Sequence, residues 1–433
     1  MRGTVTAVAG RGVGILVGLA TVPLTIGYLG GERYGIWVTI STFLAFLSFT
    51  DFGIANSLSN ALGKLYGEGQ SQMAARYVSS AFLIFCLISA TIAIAAIIFA
   101  PHLAPLLFPH LQSPLARAEV GPALLLALLL FALNIPLLIT NKVLAVHHQI
   151  ALSNLWGIAG SIANLGAILT VIWSRGGLPW LVLGSSGLGF LMNAACAAWV
   201  FGFRWPELRP RLAELNTGAM RELLSAGWKF LVIGAVWMVN SETDNLVIAH
   251  YLGAARVTPY AITFAVFANA TLLQTLAYPS LWPAYTEAFA RKDFVWMRRT
   301  FRSHMQLGFV SACAIVIFLT FFGSAIIRFW AGETAVPPFA TILWMGIWNL
   351  MLATLYVASC LLNATGHLKG MTIYGTITAV LNIALSIPLA KIYGISGVIA
   401  ATVIAFAVAN YIPTFIEVRM VLRKFALAAP APG

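Results

Sequence analysis

Four ionisable side chains interrupt long apolar segments of the sequence: Arg11, Asp51, Glu242 and Asp244. A charge at membrane depth costs about 2.5–3.5 kcal/mol on insertion scales, so such a residue normally faces a partner or a water-filled cavity. The chemistry open to these residues is ion pairing, the binding of an anionic group, and the uptake of a proton or another cation. The sequence has no G-x-x-x-x-G-K-[ST] nucleotide motif and no triad-like grouping of Ser, His and Asp. We therefore expect no catalytic residues and no enzyme.

Arg11 and Asp51 lie at matching depths in the first two apolar segments. Arg11 lies six residues after the start of its segment and Asp51 six residues before the end of the next one, so each is about 9 Å from the same side of the membrane at a rise of 1.5 Å per residue. One interpretation is a structural ion pair between two helices. In the other, Arg11 faces a cavity and binds a diphosphate through its planar guanidinium, with Asp51 tuning it.

Asn240, Ser241 and Asp244 form one polar stripe, because they are spaced three and four residues apart on a helix. Glu242 points about 200° away from Asp244, so both cannot face one cavity. We expect the Asp244 stripe to line a pathway and Glu242 to be protonated or bonded within the bundle. Burial favours the protonated carboxyl, so either residue could carry a proton or bind a cation. A structural hydrogen-bond network is the alternative.

The next apolar segment carries an amphipathic aromatic face, with Gln274, Tyr278 and Trp282 four residues apart. Sugar rings stack on aromatic side chains, so this face is a candidate sugar contact. The alternative is an aromatic belt at the membrane interface. The predicted substrate-binding residues are Arg11, Asn240, Ser241, Asp244, Gln274, Tyr278 and Trp282, and Asp51 and Glu242 are assigned to coupling or a structural ion pair.

The composition indicates which elements must position these residues. Of 433 residues, 60% are hydrophobic and only 9% are charged, whereas a soluble domain has about 25% charged residues. This excludes soluble, disordered and fibrous proteins, and the long apolar runs exclude a transmembrane β-barrel. The four cysteines lack zinc-ligand or C-x-x-C spacing, so no metal site and no cofactor are expected. The sequence predicts an all-α integral membrane protein.

A membrane-spanning helix needs about 20 mostly apolar residues, and the sequence predicts twelve such spans. They are 5–29, 34–57, 77–100, 120–145, 151–173, 178–202, 226–251, 258–285, 305–330, 337–363, 370–390 and 394–416.

The charge distribution predicts the orientation of these spans. Of 25 Lys and Arg residues, six lie in or near the loops after odd-numbered spans, and the remaining 19 lie on the other side, in or near the termini and the loops after even-numbered spans. Because cytoplasmic loops carry the excess of basic residues, both termini are predicted to be cytoplasmic. The basic and aromatic segment 288–299 is predicted to be a helix in the headgroup region. No nucleic-acid partner is expected, because the sequence predicts no soluble domain on which the basic residues could form a binding surface.

The sequence also contains an internal repeat. Tyr28-Leu29-Gly30 and Tyr251-Leu252-Gly253 are 223 residues apart, and Arg76 and Arg299 keep the same offset. We therefore predict two pseudo-symmetric six-helix bundles, residues 1–203 and 225–433, joined by a cytoplasmic linker over 204–224. Repeats with an even number of spans share one orientation, as in transporters that rock two bundles around a central site. This arrangement predicts an alternating-access carrier.

Several short motifs resemble one family of membrane proteins. They are Tyr28-Leu29-Gly30-Gly31-Glu32-Arg33-Tyr34-Gly35-Ile36-Trp37, Asp51-Phe52-Gly53-Ile54-Ala55-Asn56, Asp244, Tyr251-Leu252-Gly253, Tyr260, and Tyr393-Gly394-Ile395-Ser396-Gly397-Val398. In order and spacing they resemble the polysaccharide exporters, the Wzx-type flippases of lipid-linked oligosaccharides. That family belongs to a superfamily with the MATE drug exporters and the lipid II flippases.

The resemblance implies a MATE-like fold and the transfer of undecaprenyl-diphosphate-linked sugars, such as O-antigen or exopolysaccharide units, to the periplasmic leaflet. It places the protein in the bacterial inner membrane, with the lipid bilayer, a polysaccharide polymerase and a chain-length regulator as partners. The second-half counterpart of Asp51 is Gln274, so matched acidic sites in both halves are not expected. A MATE-type cation-coupled exporter and a membrane-embedded polysaccharide polymerase or ligase are the alternative functions.

Overall fold

The structure is a computed structural model that describes residues 2–275, 281–366 and 369–428. Within its helices, the side chains of 2–9, 11, 49, 150, 229–241, 272–275, 282–283, 369, 371–372 and 426–428 are outside the description. All regular elements in the described ranges are helical, which confirms the predicted all-α class. The α-helices are α1 Arg2–Leu47, α2 Ile54–Gly67, α3 Ser71–Leu107, α4 Pro114–Asn134, α5 Leu138–Val146, α6 Ile150–Trp173, α7 Leu178–Val182, α8 Leu188–Trp199, α9 Thr217–Leu252, α10 Ala254–Thr275, α11 Leu281–Ala290, α12 Phe294–Ala331, α13 Phe339–Ala364, α14 Lys369–Phe406 and α15 Ile412–Ala428.

Two of the longest helices are interrupted by a single glycine each. Gly30 breaks α1 with φ 75° and ψ 169°, and Gly394 breaks α14 with φ 61° and ψ −143°. Both conformations lie at or near a region that is essentially restricted to glycine. Each helix therefore consists of two helical arms joined by one residue, at positions where the sequence predicts one span to end and the next to begin.

Eight stretches of the described chain are long and apolar enough to cross a membrane: Gly12–Leu47, Ser71–Leu107, Pro114–Val146, Ala151–Trp173, Leu178–Arg204, Phe294–Ala331, Phe339–Ala364 and Ile373–Phe425. The first and last contain the breaks at Gly30 and Gly394 and each overlap two predicted spans. Together the eight overlap ten of the predicted spans. The other two lie on α9 and α10, where many side chains are outside the described set, so the total of twelve stays a prediction.

The chain divides into two compact units, Met1–Ala235 and Val236–Gly433. The core of the first unit packs buried side chains of α2, α3 and α5, with Leu58 and Phe85 at its centre. The core of the second packs α11, α12, α13 and α15, with Tyr285 and Leu361 fully buried. Apolar burial thus holds helices within each unit.

Residues with positive φ, the left-handed backbone region, recur in the two halves of the sequence at nearly constant spacing. The pairs are Gly30 with Gly253 and Gly69 with Lys292 at an offset of 223, His148 with Gly366 at 218, and Arg175 with Gly394 at 219. Positive φ is uncommon outside glycine, so this recurrence is independent support for the repeat found in the sequence. The smaller offset of the later pairs corresponds to a few residues fewer in the second half.

The single helix predicted over 288–299 is wrong, and its location in the headgroup region stays a prediction. α11 ends at Ala290, residues 291–293 form a turn, and α12 begins at Phe294. Asp293 caps the new helix by accepting a hydrogen bond from the Trp296 N–H at 3.0 Å, as N-cap carboxylates do. The basic residues that follow are therefore the first turns of a long spanning helix.

The opposite end of α12 is also tied by an acidic residue. The Arg328 guanidinium donates to Glu333 at 2.6 and 3.2 Å. This hydrogen bonding lowers the pKa of the Glu333 carboxyl below its ordinary value, because it stabilises the charged form.

Candidate functional site

The predicted site residues are covered unevenly by the structure. Asp51, Glu242 and Asp244 are described in full, and Tyr278 lies outside the described residues. The others lie on α1, α9, α10 and α11, but their side chains are outside the description: Arg11, Asn240, Ser241, Gln274 and Trp282. Their roles, and the proposed contact of Arg11 with Asp51, therefore stay predictions.

Asp244 is the centre of a hydrogen-bonded cluster inside the second unit. The Tyr260 hydroxyl donates to Asp244 Oδ2 in a short hydrogen bond. Thr402 Oγ1 lies 2.9 Å from Asp244 Oδ2 and 3.2 Å from Oδ1. On its other side Thr402 Oγ1 is 3.2 Å from Asn382 Oδ1, which also accepts from Ser386 Oγ at 2.9 Å. The carboxylate is thus held from α10 and from both arms of α14.

Several acceptors share a single hydrogen at the centre of this cluster. A hydroxyl supplies one hydrogen, yet Thr402 Oγ1 is within 3.2 Å of four oxygens, the fourth being the Val398 carbonyl. No ion pair joins Asp244 to any described Lys or Arg. The Asn382 side chain also hydrogen-bonds Asp244, so polar groups surround the carboxylate, and a proton or a small cation would neutralise its charge.

The local fold explains how distant residues reach Asp244. Gly394 turns α14 back on itself, so Asn382 before the break and Thr402 after it come into contact. Ser396, just past the break, bonds to Thr341 on α13 at 2.8 Å and fixes the second arm. The partners are buried, with Tyr260 2%, Asn382 1% and Thr402 4% exposed, while Asp244 itself is half-buried.

Glu242 takes no part in this cluster. It is half-buried, and no hydrogen bond or ion pair joins it to another of the fully described side chains. Asp244, two residues further on, carries the contacts. This agrees with the expectation that the two carboxyls face different sides of α9.

Sequence reasoning found Asp244 but missed its partners. Tyr260 stood out only as a repeat marker, and Asn382, Ser386 and Thr402 were not singled out. A signal was present, since Asn382 and Ser386 are four residues apart in an otherwise apolar run, which places two polar groups on one helix face.

A cavity of about 260 Å³ lies between α10 and α13, lined by Phe264, Phe267, Ala268, Thr271, Trp348, Asn349 and Leu352. Asn349 is 1% exposed and donates to the Thr271 hydroxyl, while its Oδ1 has no partner among the described atoms. Phe267 and Thr271 continue towards Gln274 and Tyr278 at helical spacing. The cavity is therefore aromatic and carries a free acceptor, and the sugar contacts predicted at Gln274, Tyr278 and Trp282 stay predictions.

Asp51 has a local structural partner. Its Oδ1 accepts the Gly53 N–H at 2.9 Å, and Gly53 has φ 68° at the start of α2. Aspartate commonly forms such turns with the backbone two residues on. Asp51 therefore shapes the turn between the second arm of α1 and α2, and a further contact with Arg11 stays a prediction.

The motif around Gly30 is a structural tie in the first unit. Glu32 accepts the backbone N–H groups of Gln112 and Ser113 at 2.6 and 3.0 Å. Arg33 forms an ion pair with Glu119 at 3.4 Å. These contacts fasten the Gly30 turn to the start of α4.

Replacing Thr402 with valine is expected to lower the free energy of unfolding by about 1.5 kcal/mol. Interhelical hydrogen bonds in membrane proteins average about 0.6 kcal/mol and reach about 1.7 kcal/mol, and this one reaches a carboxylate. Thr414→Val is the matched control, because Thr414 is also buried and, among the described residues, its hydroxyl bonds the nearby Asn410 at 3.4 Å and reaches no other helix. Chemical unfolding in detergent tests the difference, and equal losses in the two variants would contradict it.

Comparisons with known proteins agree with this architecture. A sequence model of the family described as "Polysaccharide biosynthesis protein" matches residues 1–284. The chain therefore belongs to the polysaccharide biosynthesis protein family. A Salmonella typhi protein assigned as an O-antigen transporter is 24% identical over 279 residues, covering 63% of this chain and 61% of that protein. A Salmonella typhimurium protein with the same assignment is 22% identical over 402 residues, 90% of each chain.

Solved structures show the same fold at low sequence identity. An inward-facing multidrug resistance MATE family transporter superposes with a TM-score of 0.78 at 14% identity, covering 96% of both chains. The lipid II flippase MurJ, in an inward closed conformation, gives a TM-score of 0.74 at 17% identity, covering 98% of this chain and 90% of that one. The fold of the chain is thus MATE-like, as the motifs implied.

Proposed function

We propose that this protein is a flippase that moves an undecaprenyl-diphosphate-linked oligosaccharide from the cytoplasmic to the periplasmic leaflet of the bacterial inner membrane. In this proposal the chain crosses the membrane twelve times, both termini are cytoplasmic, and transport proceeds by alternating access. A polysaccharide polymerase and a chain-length regulator would then act on the product. The O-antigen relatives support the class of cargo, and the fold shared with a lipid II flippase supports transfer of a lipid-linked sugar.

The observation that carries the mechanism is the acceptor-rich cluster around Asp244. An ionisable residue within a membrane span is by default a functional candidate. Asp244, Asn382, Thr402 and the Val398 carbonyl offer only oxygen ligands, which suits a hard cation as well as a proton. Uptake of that cation would neutralise the carboxylate and bias the second unit towards one conformation. The cluster therefore serves as the coupling site of the proposed carrier.

The aromatic cavity beside Asn349 is the proposed contact for the sugar. Phe264, Phe267 and Trp348 supply flat apolar surfaces, and Asn349 Oδ1 can accept a hydrogen bond from a sugar hydroxyl. Gln274, Tyr278 and Trp282 would extend this face, and Arg11 would bind the diphosphate.

The proposal is tested with purified protein in liposomes that contain a fluorescent polyprenyl-diphosphate oligosaccharide. Exposure of the sugar to an impermeant lectin should rise with the protein and not in empty liposomes. In cells, deletion of the gene should leave undecaprenyl-linked units facing the cytoplasm. Export of cationic dyes without lipid transfer would indicate the MATE-type alternative. Elongated sugar chains formed by the purified protein would indicate a polymerase or ligase, although the relatives are assigned to transport.

A further inference from the structure

A second concave surface lies on the first turns of α12. It is an open depression of about 450 Å³ lined by residues of this one helix, Val295, Arg298, Arg299, Arg302, Ser303 and Gln306. All six residues are exposed. We call this surface the α12 arginine patch.

The orientation of the α12 arginine patch is fixed by the opposite side of the helix. Met297 is fully buried and Phe301 is 9% exposed, and both pack in the core of the second unit. Phe294 stacks on Phe425 of α15 with ring centroids 4.6 Å apart. Because these side chains hold one face of α12 inward, Arg298 and Arg302, one turn apart, remain on the outer face.

The three guanidinium groups of the patch have no carboxylate partner among the described residues. Each of four other arginines does form an ion pair: Arg33, Arg76, Arg291 and Arg328. A cytoplasmic excess of charge requires only that basic residues be present. It does not require three unpaired arginines around one hollow with a serine hydroxyl and a glutamine amide. Guanidinium groups bind phosphate oxygens bidentately, so the grouping fits a phosphate.

An exposed apolar strip continues from the patch along the same face of α12. Phe309, Val310 and Ile317 are 49%, 64% and 58% exposed. At 1.5 Å per residue the strip begins about 10 Å beyond Arg302. The patch therefore stands at the boundary between water and hydrocarbon, where a lipid places its phosphate above its acyl chains.

We propose that the α12 arginine patch binds the phosphate head group of an anionic bilayer phospholipid, whose acyl chain lies along Phe309, Val310 and Ile317. Arg298, Arg299 and Arg302 contact the phosphate oxygens, and Ser303 and Gln306 donate further hydrogen bonds. The continuous apolar strip favours a lipid over free phosphate, because free phosphate has no acyl chain to contact the strip. The site is separate from the Asp244 cluster, so the proposal stands or falls independently of the flippase function.

The test measures binding of single lipids to the purified full chain by native mass spectrometry. Wild type should bind phosphatidylglycerol at least about 10-fold more tightly than phosphatidylcholine, because the quaternary ammonium of phosphatidylcholine cancels the phosphate charge and would stand against three guanidinium groups. R298Q/R299Q/R302Q should lose this preference. The control R419Q/R423Q/K424Q removes the same charge from exposed positions on α15 and should keep it.

A lysine variant is needed because R298Q/R299Q/R302Q removes three positive charges and could therefore insert into the membrane incorrectly. R298K/R299K/R302K keeps every positive charge but loses the bidentate fork, so its preference for phosphatidylglycerol should fall about 3-fold or more. Equal losses in the α12 and α15 triples would overturn the proposal in favour of general electrostatics. Displacement of phosphatidylglycerol by equimolar inorganic phosphate would also overturn it, because the acyl chain would then contribute nothing.

Discussion

Replacement of Asp244 by asparagine is expected to reduce export of the lipid-linked oligosaccharide about 100-fold while the protein still folds and reaches the membrane. Removing one partner of a buried, hydrogen-bonded charge pair weakens binding by about 2–5 kcal/mol, and 100-fold corresponds to about 2.7 kcal/mol. Asparagine keeps the shape and one acceptor for Tyr260 and Thr402. It removes the charge that the cation would neutralise and replaces one carboxylate oxygen with an N–H donor.

The stability of Asp244→Asn distinguishes coupling from a structural role. A buried charge without a compensating cation is destabilising, so the thermal midpoint of the variant should equal or exceed that of wild type. Glu242→Gln is the matched control, because Glu242 lies two residues away and outside the cluster. It should retain most export.

Export is measured in liposomes with an imposed sodium or proton gradient. Wild-type export should depend on one of the two gradients, and the residual export of Asp244→Asn should depend on neither. A coupling role for Asp244 is excluded if this variant keeps normal export and normal gradient dependence. Loss of export together with a lower thermal midpoint would instead assign the cluster to structure.

Replacement of Gly397 by alanine is expected to lower the free energy of unfolding by about 3 kcal/mol and to abolish export. A Cβ atom at Gly397 would collide with the Leu389 carbonyl oxygen and lie 3.1 Å from Tyr393 Cβ. Overpacking usually destabilises by about 1–3 kcal/mol, and a backbone oxygen next to the Gly394 break can move little. Any shift would also displace Val398 and, through it, the Thr402 hydroxyl.

Gly323→Ala is the control for this substitution, since Gly323 lies in the middle of α12 and its Cβ would meet Ile342 at an ordinary 3.7 Å. Alanine stabilises a helix interior by about 1 kcal/mol relative to glycine, so the control should be neutral or stabilised. Both variants are compared by thermal unfolding in detergent. A Gly397→Ala protein as stable as Gly323→Ala would contradict the tight turn.

The fold class was predictable because burial in a bilayer demands long apolar helices, a requirement visible in composition alone. The turns at Gly30 and Gly394 fall where the predicted spans end, but hydropathy could not show that one residue joins the two arms. Asp51 shows a different limit. Its depth suggested a partner on another helix, whereas the Asp51-Phe52-Gly53 sequence already permitted the local turn that the structure contains.

Asp244 was predictable as a candidate site because charge is rare in a span. Its partners were not, since Asn382 and Thr402 lie 138 and 158 residues away in sequence and meet it only through the fold of α14. For the same reason the arginines of α12 were assigned to a separate surface helix. Charge and aromatic content describe a segment, but only packing of Met297 and Phe301 shows that it continues into a span.

The recurrence of residues with positive φ in both halves indicates which substitutions should make the protein more stable to heat. His148, Arg175 and Lys292 hold positive φ with side chains attached, and the equivalent turn of the other half uses glycine. The strain of about 1–2 kcal/mol at such a position exceeds the roughly 0.4–1 kcal/mol of unfolded-state entropy that glycine adds. Replacing His148, Arg175 or Lys292 with glycine, the residue at the equivalent position of the other half, should therefore raise the thermal midpoint.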